Sequence, residues 1–411
     1  MTLAQTVRDQ YEAYPYPPRD PAREREQLRS TLLGQMAFAN YVLWGGRRRA
    51  GEGFRVLDAG CGTGDNAVFI AEQLRGTGAE VVGLDLSDAS LAVAAARAEA
   101  RGLDVRFVRG SITDLPELGL GVFDYVVSPG VLHHLPSPEA GLAAIRDVLA
   151  PGGGAGIMVY GQYGRTAIYQ LQELLRLVAP DSLPAEQRVR IAKDVIAGLK
   201  ADHWASLGRN SYAGEIELHG DAGLFDALLH STDRAYTVPE LYGWVHGAAM
   251  QLVRHVIQTL YEPSFYAPGV DCRALGPIER EATAELLHGR MMKHSFFVTR
   301  ESTEVPAAPD ATDESAIPHW LNYDASGLIK RQLELQPAFD LEFEGLRFQQ
   351  TLDPFRRAFL KRVDGRASAA AILAELEAKF PKLGRRELLA KWRELHDGLQ
   401  RFNLLGLYPA G

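Results

Sequence analysis

The chain has 411 residues, 44 basic and 52 acidic side chains, a net charge of −8 and a hydrophobic fraction of 46%. This length exceeds the roughly 250–300 residues at which one core stops growing, so at least two domains are expected, and the negative balance argues against bulk nucleic-acid binding. Two cysteines, Cys61 and Cys272, exclude a disulfide framework or a cysteine metal cage, and no apolar run approaches the roughly 20 residues of a membrane span. The 11 histidines fall in no metal-ligand spacing, so the expectation is a soluble, cytoplasmic enzyme without a metal.

Residues 1–50 precede the core and carry Gln10-Tyr11-Glu12-Ala13-Tyr14-Pro15-Tyr16-Pro17-Pro18-Arg19-Asp20. The prolines forbid a helix and impose a stiff, extended path. Tyr11 and Tyr16 on such a segment read either as a lid over a bound cofactor, donating hydroxyls and excluding water, or as a strap packed for stability. Next, Val56-Leu57-Asp58-Ala59 is an apolar strand, Gly60, Gly62 and Gly64 alternate, and Ala67, Ile70, Ala71 and Leu74 share one helix face. Alternate glycines at a strand-to-helix turn suggest that a ligand lies on bare backbone. A dinucleotide-binding turn would place its third glycine at position 65, where this chain has Asp65. A carboxylate there repels a pyrophosphate from the positive helix end, which favours a cofactor with an amino acid or sulfonium group and no phosphate, such as S-adenosylmethionine (SAM).

Four further strands follow in order: Val81–Leu86 ending beside Asp85, Val105–Val108 leading into Gly110-Ser111-Ile112, Phe123–Ser128 followed by Gly130-Val131-Leu132-His133-His134-Leu135, and Ile157–Tyr160 after a Pro-Gly-Gly turn. Together with the Asp58-x-Gly60-x-Gly62-x-Gly64 turn, this series resembles the motifs of class I SAM-dependent methyltransferases over residues 54–160. The resemblance implies an α/β, Rossmann-like, seven-stranded sheet that binds SAM and releases S-adenosyl-L-homocysteine. It implies that Gly60, Cys61, Gly62, Gly64 and Asn66 admit the methionine moiety, with Asp58 orienting local amides. Asp85 and Leu86 hold the ribose, Gly110, Ser111 and Ile112 flank the adenine, and Ser128 ends the fourth strand beside the cofactor. His133 and His134 face the sulfonium as candidate bases, joined by Tyr16 in catalysis, although Leu-His-His-Leu also serves simply to shape a loop. Ser128-Pro129-Gly130-Val131 departs from the Asn/Asp-Pro-Pro-Tyr/Phe of enzymes acting on planar nitrogens, which argues against adenine N6 and glutamine amide acceptors. The same Leu-His-His-Leu stretch resembles quinone-biosynthesis and natural-product methyltransferases. Tyr11-Glu12-x-x-Pro15-Tyr16 resembles the opening of bacterial methyltransferases with a regulatory domain, a group that includes outer-membrane-protein lysine methyltransferases.

The methyltransferase domain is expected over 51–300, with residues 161–237 inserted above the strand ends as an acceptor subdomain. Tyr160, Tyr163, Arg165, His230, Arg234 and Tyr236 are its candidate acceptor contacts. Met250–Arg254 and His294–Val298 are expected to close the sheet. Residues 301–316 are acidic and Pro/Ala/Ser-rich and read as a solvated linker. Residues 317–411 show a hairpin pattern, two helix-spaced apolar stripes and a final strand, loosely resembling small winged-helix domains that recognise precursor peptides; a packing or homodimerisation module is the alternative. The function expected is in-line methyl transfer from SAM to a protein or peptide. Methylation of a small metabolite and a non-catalytic SAM-binding regulator are the alternatives.

Overall fold

The computed structural model describes residues 12, 15–208, 212–230, 232–323, 338–343 and 346–410; Tyr11 lies outside them. Helix α1 (Met36–Trp44), stopped by Gly45 in a left-handed conformation, leads to β1 (Arg55–Ala59), α2 (Asp65–Gln73), β2 (Glu80–Asp85), α3 (Asp88–Arg101) and β3 (Arg106–Arg109). Then come β4 (Phe123–Pro129), α4 (Pro138–Asp147) and the long β5 (Leu149–Gly161). Val56, Leu57, Val126 and Val127 have no exposed surface because helices cover both faces of this parallel sheet. Ser87 caps α3 by accepting from the Ser90 N–H, and left-handed Gly102 ends it.

After β5 the chain leaves the sheet for α5 (Thr166–Val178), α6 (Ala185–Gly198), a single turn α7 (Trp204–Leu207) and α8 (Ala213–Leu228), which breaks at Gly220 with φ 59°. These helices bury a core of their own that includes Ile168, Leu171, Val189, Phe225 and Leu228. The short strand β6 (Ala235–Tyr236) returns beside the end of β5. Helix α9 (Val238–Gly247) begins on a full capping box between Thr237 and Glu240. Strand β7 (Met250–His255), the short α10 (Pro263–Tyr266), α11 (Pro277–His288) and β8 (Lys293–Arg300) complete the sheet. Its order is β3-β2-β1-β4-β5-β8-β7, with β8 antiparallel to both neighbours, as the closing strands predict. Strand order reverses between β1 and β4, and ligands of open α/β sheets bind outside the carboxyl ends of strands at such a point.

The segment 301–316 differs from its expectation. It forms no helix or strand, yet Ala311 and Ala316 are buried in the C-terminal core, and Arg47 donates to the Ala307 carbonyl at 2.7 Å. Its alanines fill space between two cores, which its average polarity conceals. Beyond it lie β9 (Ile317–Trp320), the hairpin β10 (Ala338–Phe343) and β11 (Leu346–Thr351), α12 (Pro354–Leu360), α13 (Ala369–Lys379), α14 (Arg385–Gln400) and β12 (Leu405–Tyr408), which pairs with β9. Trp392 stacks on Phe359 at 4.3 Å inside this unit. The unit docks on α1: Tyr408 donates to the Ala37 carbonyl and Gln400 to the Tyr41 hydroxyl, both at 2.7 Å. No described helix is long and apolar enough to cross a membrane.

Candidate functional site

Gly60, Gly62 and Gly64 adopt φ of 81°, 51° and 90°, a region that side chains disfavour. What their missing Cβ atoms would strike is the protein itself. At Gly60 a Cβ would stand 2.6 Å from Val131, at Gly62 2.6 Å from the Tyr16 carbonyl oxygen, and at Gly64 2.8 Å from Ala94. Contacts within the protein thus require these glycines, and Gly60, Cys61 and Gly62 also line a cavity, where the sequence analysis expects a ligand on bare backbone. Asp58 is fully buried and accepts the Ala67 N–H at 2.9 Å; burial pushes its carboxyl up to about 8. Asp85, at the end of β2, accepts the N–H groups of Gly62 at 2.8 Å and Ser87 at 2.9 Å. Burial raises its pKa against the pull of those bonds.

The N-terminal segment is tied down across this turn. Thr63 donates to the Pro17 carbonyl at 2.7 Å, and Arg19 bonds Asp65 through its Nη2 at 2.6 Å. Arg97, with a side chain 1% exposed, reaches Glu24 at 2.6 Å, Asp65 at 2.7 Å and the Thr63 carbonyl at 2.7 Å. Burial works to raise the Asp65 carboxyl, but the bonds and charges of Arg19 and Arg97 outweigh it and hold it below its usual range. The bare repulsion expected of Asp65 is thus neutralised. The exclusion of a pyrophosphate passes from charge to space, because the strap itself lies over Gly62.

A cavity of about 740 Å³ opens at the strand-order reversal. It runs from Gly60, Gly62, Asp85 and Leu86, past Gly130 and Val131, to Tyr16, Tyr160, Glu215 and Asp226. Among the expected contacts, Tyr16, Gly60, Cys61, Gly62, Asn66, Asp85, Leu86, His134, Tyr160 and Arg165 line it. The others point elsewhere. Gly64 and Gly110 pack against Ala94 and Leu118, and Ser111 caps the turn of buried Ile112. Ser128 donates to the Ala59 carbonyl at 2.8 Å. Arg234 pairs with Glu139 at 2.7 Å, Tyr236 stacks on Trp244 at 4.9 Å, and Tyr163 is exposed. His133 is buried off the cavity between Tyr160 and His134, and His230 is buried behind His134.

Two carboxylates among the lining residues escaped the sequence reading, Glu215 and Asp226 of α8, as did Lys293. The two carboxylates stand on either side of the break at Gly220, so helical spacing in the sequence gives no signal that they face one space. The Tyr16 hydroxyl donates to Glu215 Oε2 at 2.6 Å. Burial, reinforced by Asp226 and Glu215, pushes the Tyr16 and Tyr160 phenols well above their ordinary range, so both remain neutral hydroxyls. Arg165 stacks its guanidinium 3.5 Å from the Tyr160 ring centre and pairs with Asp233. One end of the cavity therefore offers a carboxylate framed by backbone amides, and the other offers two carboxylates framed by phenols.

Residues 56–153 match the family of methyltransferase domains. The chain is 29% identical to uncharacterized protein syc1184_c of Synechococcus over 91% of its own length and 88% of that protein. It is 39% identical to a ubiquinone biosynthesis O-methyltransferase of Nitrosococcus oceani over 25% of this chain, and 43% identical to a demethylmenaquinone methyltransferase of Thermus thermophilus over 24%. Those two matches span 41% and 44% of the relatives' lengths, less than half of each. Among solved structures, PKMT2 from Rickettsia typhi, also determined with AdoHcy, superposes with a TM-score of 0.65 at 16% identity, covering 96% of this chain and 77% of that one.

Proposed function

We propose that this chain, a class I SAM-dependent methyltransferase by its matched domain and its sheet order, transfers the methyl group to an amine nitrogen on a protein or peptide. The observation that carries the reading is the far end of the cavity, where Glu215, Asp226, Tyr16 and Tyr160 face the same space. Carboxylates and neutral phenols there attract an ammonium and accept hydrogen bonds from an amine, whereas they repel a carboxylate or phosphate. The near end fits SAM: Asp85, fixed by two amides, faces the cavity where ribose hydroxyls need an acceptor, and the basic residues that line the cavity, Arg165 and Lys293, lie beside Tyr160 instead, with Arg165 paired to Asp233. Bound SAM supplies a methyl group already activated by its sulfonium.

The chain's own part is alignment and exclusion of water. Asp85 and Leu86 hold the nucleoside end, Gly60 to Gly62 receive the methionine end beneath the strap, and Tyr16 closes the acceptor end through Glu215. Only the neutral amine has a lone pair to attack with, and Glu215 and Asp226 accept its N–H bonds while it waits. This reading assigns neither His133 nor His134 as a base. The likeness to PKMT2, at 16% identity, extends to the fold and leaves the acceptor to be argued from the residues that line the cavity. The quinone-pathway relatives match only about a quarter of this chain and carry no weight on the acceptor side. The test is transfer of isotope-labelled methyl from SAM into a lysate fractionated into protein, RNA and small molecules. Label in protein, reduced at least tenfold by Glu215→Gln or Asp226→Asn, is the expected outcome; label confined to small molecules turns the acceptor to a metabolite.

A further inference from the structure

His133 and His134, on the turn after β4, meet Asp233, which lies just before β6, a hundred residues later. One ligand atom from each lies within 4.8 Å of the other two. His133 is 1% exposed, and neither Nδ1 nor Nε2 has a hydrogen-bond partner among the described residues. An imidazole is thus enclosed with both ring nitrogens unpartnered among the described residues. His134 Nδ1 stands 2.7 Å from the Thr232 carbonyl, which only accepts; the proton therefore sits on Nδ1 and Nε2 keeps its lone pair. Metal-ligating histidines commonly donate their second nitrogen to a carbonyl in this way. Asp233 is held by Gln172 at 2.8 Å and Arg165 at 3.2 Å, both on Oδ2, while Oδ1 has a longer 3.4 Å contact from Tyr169.

We propose that His133, His134 and Asp233 bind a divalent transition-metal ion that staples the turn after β4 to the return of the 161–237 insertion. Two imidazoles and a carboxylate suit zinc, cobalt, nickel or iron, and three protein ligands leave a coordination position open. The rings of His133 and His134 are inclined by 56°, so their in-plane lone pairs can converge on one point. A neighbouring set, His134, Asp226 and His230, is the poorer site. There the two rings stack at 3.8 Å with only 26° between them, and His230 Nδ1 already accepts the Thr232 N–H. Sequence spacing had no access to this cluster, because its two halves meet only through β6 beside β5.

The experiment is metal analysis of the purified full chain, followed by chelation and titration with Co²⁺ read by visible d–d absorption. One Co²⁺ per chain with tetrahedral-type absorption is expected, and the absorption is lost in His133→Ala and in Asp233→Asn while SAM binding persists. Retained SAM binding shows that each variant is folded; if His133→Ala is not, Asp233→Asn decides. Wild-type protein that is metal-free and gives no Co²⁺ absorption overturns the proposal, as does absorption surviving both substitutions. No readout uses turnover, so the outcome is independent of the proposed acceptor.

Discussion

Asp85 and Asp58 lie on adjoining strands, yet burial gives them different tasks. Asp85 faces the cavity with two amides behind it, so Asp85→Ala should weaken SAM binding by about 2–4 kcal/mol in calorimetric titration, the worth of two charge-assisted hydrogen bonds. Asp58 never meets the cavity. With a folded pKa near 8 against an ordinary 3.8, it stabilises the fold fully in acid, and that contribution is lost as pH rises through about 8. The slope is at most about 1.4 kcal/mol per pH unit, and Asp58→Asn, neutral throughout, should flatten it in denaturation curves across roughly pH 4 to 8. At the acceptor end, methyl transfer to an amine without an imidazole base should quicken about tenfold per pH unit until it nears the amine's ordinary pKa of about 10.4. A rate that levels off well below that pH would instead point to a base supplied by the protein.

The strap from Pro15 to Leu33, whose described regular structure is a single 3-10 turn at Pro21–Arg23, shows how such a segment is held. Its anchors are ionic and buried: Glu24 is 4% exposed and meets both Arg97 and Arg101. Such a pair adds little over a well-packed apolar pair, but removing one partner strands the other charge. Arg97→Leu should cost about 1–3 kcal/mol of stability, measured by chemical denaturation, because Glu24 keeps Arg101 and Asp65 keeps Arg19 while the buried bonds from Arg97 to both, and to the Thr63 carbonyl, are lost. Gly62→Ala probes the same contact from the turn. Its Cβ would press on the Tyr16 carbonyl, so the strap should loosen, and protease cleavage near Tyr16 should increase before global unfolding does. Lid and strap, alternatives in the sequence, here share one segment: Pro17 and Glu24 fasten it, while Tyr16 faces the cavity.

Across the whole molecule, every described residue lining the cavity falls between Tyr16 and Ser295, so the described part of the C-terminal unit contributes none of the cavity wall. It packs on α1 through Tyr408, whose ring covers Gly46. Tyr408→Ala should lower stability by about 1–3 kcal/mol while leaving SAM affinity within about twofold, a pair of readings that separates docking from ligand binding. Local pattern alone determined the sheet, its closing strands, the glycine turn after β1 and an acid at the end of β2, since buried strands, alternating glycines and a strand-end acid depend on neighbours a few positions away. The C-terminal helices were equally legible from the spacing of Leu388, Trp392, Leu395 and Leu399. Tertiary structure alone decided what faces what. It turned Ser128, Tyr236 and Arg234 away from the cavity, brought Glu215 and Asp226 to its wall, neutralised Asp65 with Arg97, and set Asp233 beside His133. Those relations join residues tens to hundreds of positions apart, and only the crossing of helices over a finished sheet creates them.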